Sequence, residues 1–445
     1  MNKPLCLIMA PVATSSGYGA RARDLVTALV KLDKYEIKIF PTVWGSTPNN
    51  ALDPTEPEHL EIIKRLLPNP QLDRQPELFI QVTVPNEFQR VGKYNIGVTA
   101  GIETTIAAAE WIDGINRMDL TITSSDFAKE VFMACAYEQV DNNTKQKVGD
   151  LKVEKPIEVL FEGVRLDKYF ATKEIHKTVN DELDQVKEKF CFLFVGHWLK
   201  GDLGADRKNV GMLIRTFLET FKNKAKHNQP ALLIKTSGAD YSPVDKEAII
   251  DKLRSVYSTV VGQTLPNVYF IHGDFTDGEM NSLYNHPKVK AHITFTRGEG
   301  FGRPLAEAAL SQKPVIATNY SAHTEFLKES VLLPGSLENV HPSAVWDKMI
   351  LPESQWFTVD YGYASGVMKH IVDNPKDYEI GAKKQATLIK KEWNFDAMVN
   401  KLGDILERNV PMFALQAPLQ LPQLKKIELP KLKKIELPKL KKIEA

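Results

Sequence analysis

The sequence predicts an α/β protein built from two doubly wound domains, with a late helix and a repetitive tail. Three observations predict it. Short apolar runs alternate with helix-like runs almost from end to end, the pattern of parallel sheets covered by helices. The strand-like runs fall into two series of six, separated by a polar, charged segment. At 445 residues the chain is too long for one ordinary domain. The expected divisions are a first domain at 1–172, a helix-containing linker at 173–189 and a second domain at 190–383. A helical run at 384–408 and a tail at 409–445 complete the chain.

The first strand is Leu5–Ala10, an apolar run too short to span a membrane. It runs into a Ser/Gly turn and a helix beginning near Ala20, so it reads as a strand and not a signal peptide. Glu36–Phe40, Leu78–Thr83, Tyr94–Thr99, Leu120–Ser124 and Ile157–Phe161 complete the first series. The second is Phe190–Gly196, Ala231–Thr236, Val268–His272, Ala291–Thr296, Pro314–Thr318 and Val331–Leu333. Ligands of such sheets sit outside the carboxyl ends of the strands, here expected between the domains. Lys384 to Arg408 has helical periodicity with a break at Asn394, and Trp393, Phe395 and Leu402 are its candidate anchors. Beyond it, Leu421–Glu428 recurs as Leu429–Glu436 and Leu437–Glu444. A proline every eighth residue forbids a continuous helix, and so short a unit buries no core. A solvated, disordered tail is expected. Its Leu-x-x-Leu-x-x-Ile spacing would also permit docking to a partner, an anionic polymer or a membrane surface.

Composition is that of a soluble globular protein, 25% charged and 43% hydrophobic, with no run of 18 apolar residues. Cys6, Cys135 and Cys191 lie far apart without a CxxC spacing, which suits buried thiols in a reducing cytoplasm. The net charge of +1 hides an asymmetry: residues 421–445 carry eight Lys and three Glu, leaving the body at about −4. A body of that sign has no global attraction to nucleic acid.

The most informative stretch is Thr296 to Ala308, T-R-G-E-G-F-G-R-P-L-A-E-A. A buried strand, a Gly-x-Gly turn and a helix opening at Pro304 make an anion site, because free N–H groups and the helix dipole converge there. Glu299 and Glu307 would repel a bare phosphate. They make sense as acceptors for hydroxyls, so the implied ligand carries both phosphate and polyol, as a nucleotide sugar does. These residues, followed by Lys313-Pro314-Val315-Ile316-Ala317, resemble the E-x7-E signature of the group 1 (family 4) retaining glycosyltransferases. The stretch Gly97–Phe132, the run Pro156–Leu160 with Glu162-Gly163-Val164, and Phe194-Val195-Gly196 are similar to further motifs of that family. The resemblance implies the GT-B fold, two facing Rossmann-like domains closed by a helix that crosses back to the first, here 384–408.

The resemblance also implies roles. Glu299 would contact the donor sugar and Glu307 the ribose, with the backbone of Gly300, Phe301 and Gly302 facing sugar and phosphate. Lys208 stands in the family's Lys position. The family's Arg after Val-Gly is replaced, since His197 and Trp198 follow Gly196, so Arg207 is expected to take over that charge, with Arg303 as a further compensating cation. Glu103 sits where the family often places a residue that touches the sugar. Phe275 and Leu283 fall in the stretch that holds the nucleobase. Gln312-Lys313 and Ser321-Ala322-His323 stand where the family has glycines, and Lys235-Thr236-Ser237-Gly238 where it prefers Val-Gly-x-Gly. Gly17 and Gly19 in the first loop allow close approach of a ligand, with Arg21 or Arg23 to orient it, and a tight structural turn is the other reading. Val43–Asp53, with Trp44 and Asn49-Asn50, is the candidate acceptor side.

A leaving diphosphate needs positive charge, supplied by Arg or Lys where no metal does so. The chain has no Asp-x-Asp and no His/Cys cluster, so no metal ligand and no cofactor beyond the nucleotide-sugar substrate is assigned. The expected activity is a cytoplasmic, metal-independent hexosyltransferase. The rival readings are a catalytically silent scaffold or binding protein on the same fold and a glycosyltransferase acting on a nucleic-acid base.

Overall fold

Both sheets are six-stranded and parallel, and in each the winding reverses at an inner strand. The computed structural model describes residues 3–413 apart from Pro70, Asn142, Ala239 and Asp240. The first half contains β1 (Leu5–Ala10), β2 (Glu36–Pro41), β3 (Leu78–Val82), β4 (Tyr94–Val98) and β5 (Leu120–Thr123). A hairpin, β6 (Ala136–Val140) and β7 (Lys147–Lys152), precedes β8 (Ile157–Val159). The sheet order is β2-β1-β3-β4-β5-β8. The second half contains β9 (Cys191–Val195), β10 (Ala231–Lys235), β11 (Val268–Ile271), β12 (Val289–Ile293), β13 (Val315–Thr318) and β14 (Val331–Leu333). Its order is β11-β10-β9-β12-β13-β14, so the direction of winding switches between β9 and β12. A second hairpin, β15 (Gly335–Asn339) with β16 (Gln355–Val359), follows.

The helices of the first half are α1 (Gly17–Leu32), α2 (Pro57–Ile63), α3 (Ala109–Arg117) and α4 (Asp126–Ala134), with α5 (Lys177–Leu183) between the sheets. The second half has α6 (Val210–Phe221), α7 (Pro243–Ser258), α8 (Asp277–Asn285), α9 (Arg303–Ala309) and α10 (Tyr361–Asp373). The chain then runs through α11 (Glu379–Glu392) and α12 (Phe395–Asn409). Every residue of β3, β10 and β13 is buried, as expected of strands covered on both faces. Among the described residues no helix is long and apolar enough to cross a membrane.

The late helical run starts earlier than expected, at Glu379, and is two helices. Asn394 is the reason: its side chain accepts from the Ala397 N–H at 2.9 Å and caps α12. At the same joint the Val164 N–H donates to the Trp393 carbonyl (2.8 Å) and the Phe395 N–H to the Val164 carbonyl (2.9 Å). These bonds return the chain to the first half, where α12 packs on α1. The strand expected over Ala291–Thr296 is displaced to Val289–Ile293; beyond it the Thr296 N–H turns back to the Thr294 hydroxyl (3.2 Å) and not to a neighbouring strand. Neither hairpin was legible: β6 and β15 carry no alternating apolar face, and β15 is exposed throughout. The segment 335–359 nevertheless reaches the first half, where Thr105 and Gln355 exchange bonds of 2.8 and 3.0 Å. The repeat tail lies outside the described residues from 414 on.

Gly163 is required by this return of the chain. A Cβ there would stand 2.7 Å from the Phe395 Cα and 2.8 Å from the Asn394 carbonyl oxygen. Gly163→Ala is expected to lower unfolding free energy by about 1–3 kcal/mol, the usual cost of overpacking, in a urea titration.

Candidate functional site

Parallel sheets leave a crevice where their winding reverses. In the second sheet the loops after β9 and β12 flank that point, and they carry the residues singled out in the sequence. Lys208, after β9, donates to Glu299, after β12, and both side chains are 12% exposed. Its neighbour Arg207 donates to Glu103, which belongs to the loop after β4 in the first half. Lys208, Arg207, Glu299 and Glu103 thus meet in one place. Burial alone would raise the Glu299 carboxyl, but Lys208 and Arg207 more than offset it and hold it below its ordinary range. Burial pulls the Lys208 ammonium down, with Glu299 opposing.

Arg297 was missed in the sequence. Its guanidinium is buried above the Trp356 ring, 4.5 Å from the centroid, and donates to the Gly204 carbonyl at 2.5 Å and to Thr358. Its N–H donates to the Arg207 carbonyl at 3.0 Å. It ties the long 199–206 loop and the arm at 335–359 to the segment that presents Arg207. Nothing in its position beside Gly298 signals that role.

The glycines beside Glu299 serve contact between the halves. A Cβ on Gly298 would collide with the Glu103 carbonyl, and one on Gly300 with the Ala100 carbonyl. The Ser124 hydroxyl sits between the carbonyl oxygens of Ala100 (2.6 Å) and Gly300 (2.7 Å). Gly302, with φ of 96°, takes the left-handed turn that starts α9. The Phe301 side chain does not face the crevice. It is 4% exposed and packs against Phe326 and Trp393 at centroid distances of 5.0 and 6.2 Å. Only its backbone is left for a ligand. Ser321 holds a left-handed φ of 69° and accepts the Glu299 N–H at 2.8 Å.

Arg303 is spent on carboxylates. It reaches Asp24 of α1 (2.5 Å), Glu307 (2.9 Å) and Glu162 (3.8 Å). Three acids around one guanidinium leave excess negative charge, and burial pushes Glu307 up to about 7 and Glu162 upward as well. Tyr284 donates to the other Glu307 oxygen at 3.3 Å. Arg303 thus links the halves through Asp24 and Glu162 while also holding Glu307.

The first loop divides in the same way. Gly17 faces open space, whereas a Cβ on Gly19 would lie 3.0 Å from the Pro11 carbonyl and closer still to Thr14. Gly19 serves the tight turn. Arg21 is buried and donates to the carbonyls of Phe161 (2.9 Å) and Leu160 (2.5 Å), and Arg23 to those of Val12 and Thr14 (2.9 Å each). Both arginines brace backbone, Arg21 from a buried position and Arg23 from a partly exposed one. Trp44, expected to stack on a sugar, stacks on Tyr18 at 3.9 Å. Leu283, expected beside a nucleobase, is fully buried in the core. Phe275 is half-buried and covers Lys235, whose ammonium lies 4.8 Å from its ring centroid. Among the described residues no group of three or more His, Cys, Asp or Glu is placed to hold a metal ion.

No family model matches the chain, and no curated protein matches it. Solved structures do. Sucrose-phosphate synthase from Thermosynechococcus elongatus superposes with a TM-score of 0.59 at 13% identity, covering 92% of this chain and 99% of that one. HepE of Anabaena, in complex with UDP and glucose, gives 0.58 at 12% identity over 91% and 100% of the two chains. A glycosyltransferase from Rickettsia africae gives 0.58 at 12% identity over 92% and 99%. At such identities the likeness establishes the fold, which is GT-B.

Phe301→Ala is expected to lower stability by about 3–5 kcal/mol, measured by denaturant unfolding, because it empties a buried aromatic site. Glu307 gives a pH signature. Its folded value of about 7 lies above the ordinary 4.5, so the folded state holds an extra proton between those limits. The stabilisation is complete at the acid end and is lost as pH rises from about 4.5 to 7. Relative to Glu307→Gln, the wild type should lose stability across that window and run parallel to it above.

Proposed function

We propose that the protein is a glycosyltransferase that moves a sugar from a nucleoside-diphosphate donor to an acceptor hydroxyl, with the donor on the second half and the acceptor on the first. The observation that carries this reading is the pairing of Lys208 with Glu299 and Arg207 with Glu103 at the winding reversal of a GT-B fold. Two partly buried cations within one crevice match the two linked phosphates of such a donor. Each is held by a carboxylate whose release would let it accept hydroxyl hydrogen bonds from the sugar. The pairs thus exchange partners when the donor enters: phosphate for Lys208 and Arg207, sugar hydroxyls for Glu299 and Glu103. Glu307, on α9, is assigned to the ribose.

In the proposed reaction the bond from the anomeric carbon to the diphosphate oxygen loosens. Lys208 and Arg207 stabilise the negative charge that develops on the leaving group. The acceptor oxygen bonds to the same face of the sugar, and its proton passes to the departing phosphate oxygen, which gives retention. Retention rests on the family resemblance of the E-x7-E motif. Because side chains supply the positive charge, this route calls for no metal, and EDTA should leave turnover unchanged. The neighbour solved with UDP and glucose makes UDP-hexoses the first donors to try, and cytoplasmic lysate fractions the first source of acceptor.

The test is a thermal-shift screen against UDP-, GDP- and ADP-sugars followed by donor-hydrolysis assays. Lys208→Ala is expected to slow turnover by about 10²–10³-fold, as loss of a charge-stabilising donor does, and Glu307→Ala to weaken donor affinity. Normal turnover in both variants would refute the site. A wild type that binds no nucleotide sugar would favour a silent scaffold.

A further inference from the structure

Lys235 ends β10, one strand from the winding reversal, and is buried. Its ammonium sits 4.8 Å from the Phe275 ring centroid and 5.0 Å from that of Tyr241, and it donates to the Gly273 carbonyl at 2.6 Å. An ammonium has three donors. Among the described residues the Gly273 carbonyl is its single hydrogen-bond acceptor, and no carboxylate lies within ion-pair distance of it. That sets it apart from Lys208, Arg207 and Arg303, each tied to an acid. Lys235 borders the same crevice: it lies opposite Val195 at the end of β9, the Gly196 N–H donates to its carbonyl at 3.1 Å, and His197 meets the Ser237 hydroxyl at 3.2 Å on the loop that leads to Arg207 and Lys208. Gly273 leaves open space, with no atom within 4 Å of the place a Cβ would occupy.

We propose that Lys235 reads the nucleobase of the donor, its ammonium donating to a ring carbonyl such as uracil and guanine carry and adenine lacks. This rests on the donor reading above and names its base class. The chemistry follows from the surroundings. Two aromatic faces beside open space suit a flat ring, since base–aromatic stacking is tolerant of base identity. Stacking therefore does not discriminate, and a hydrogen-bond donor aimed between the rings does, as lysine does towards guanine oxygen in nucleic-acid recognition. Burial holds Lys235 at about 8, with Asp274 the nearby acid that opposes the fall, so the ammonium remains the majority form at pH 7.

The experiment is calorimetric titration of UDP, GDP and ADP into the full-length wild type, Lys235→Met and Lys235→Gln, with melting temperatures recorded to confirm folding. The wild type should prefer UDP or GDP to ADP. Lys235→Met should cut that preference by about tenfold, while Lys235→Gln, which still donates, keeps part of it. An unchanged preference in Lys235→Met overturns the proposal, whether the three affinities stay put or fall together. The second pattern would make Lys235 a phosphate ligand. A wild type that prefers ADP overturns it too. A wild type that binds none of the three overturns the donor reading itself, which separates the two failures.

Discussion

Three cations at the contact between two packed halves, Arg207, Lys208 and Arg303, are neutralised by acids where they lie, and those pairs organise the crevice of this protein. An unpaired buried ion costs several kcal/mol, a large share of the margin by which most domains are stable. Arg207 and Arg303 are neutralised across the halves, by Glu103 and by Asp24. Lys208 is neutralised within the second half, by Glu299. The same pairs that make the charges tolerable therefore hold the halves against one another. Bare backbone completes the contact, since Gly298 and Gly300 admit the carbonyls of Glu103 and Ala100 where any side chain would collide.

Under the proposed function such an arrangement is poised for exchange: two phosphates entering the crevice would bring the negative charge that the carboxylates now supply, so the cations would not be left bare at any stage. Arg303 differs because three acids share it, and one anion more would find no spare charge there.

Much of this was legible in the sequence, for physical reasons. Parallel strands buried on both faces are continuous apolar runs, as in β9, β10 and β13, and the partly exposed edge strands such as β2 still show apolar residues at alternate positions. The Glu299 to Glu307 stretch around a glycine turn stood out in the sequence, and it carries the two acids that pair with Lys208 and Arg303. Pairing was not legible. Nothing local in the sequence tells that Arg303 will meet Asp24, that Arg297 will brace the Arg207 segment, or that Phe301 will turn from the crevice to Trp393. The hairpins were hidden because strands such as β15 lie exposed and carry no apolar alternation. Gln312 and Ser321, at positions where glycine is usual in the family that the sequence resembles, keep left-handed backbones with φ of 61° and 69°. The backbone shape survives there without the residue that favours it, and at Ser321 the hydroxyl offsets the strain by holding the Glu299 N–H.

The most direct measurement is a crystal structure of the chain with a nucleoside diphosphate such as UDP bound. The phosphates should lie within hydrogen-bond reach of Lys208 and Arg207, with the links to Glu299 and Glu103 opened and the Arg303 clamp intact. A nucleotide seated elsewhere, or a bound nucleotide with both pairs still closed, would contradict the exchange of partners on which the functional reading stands.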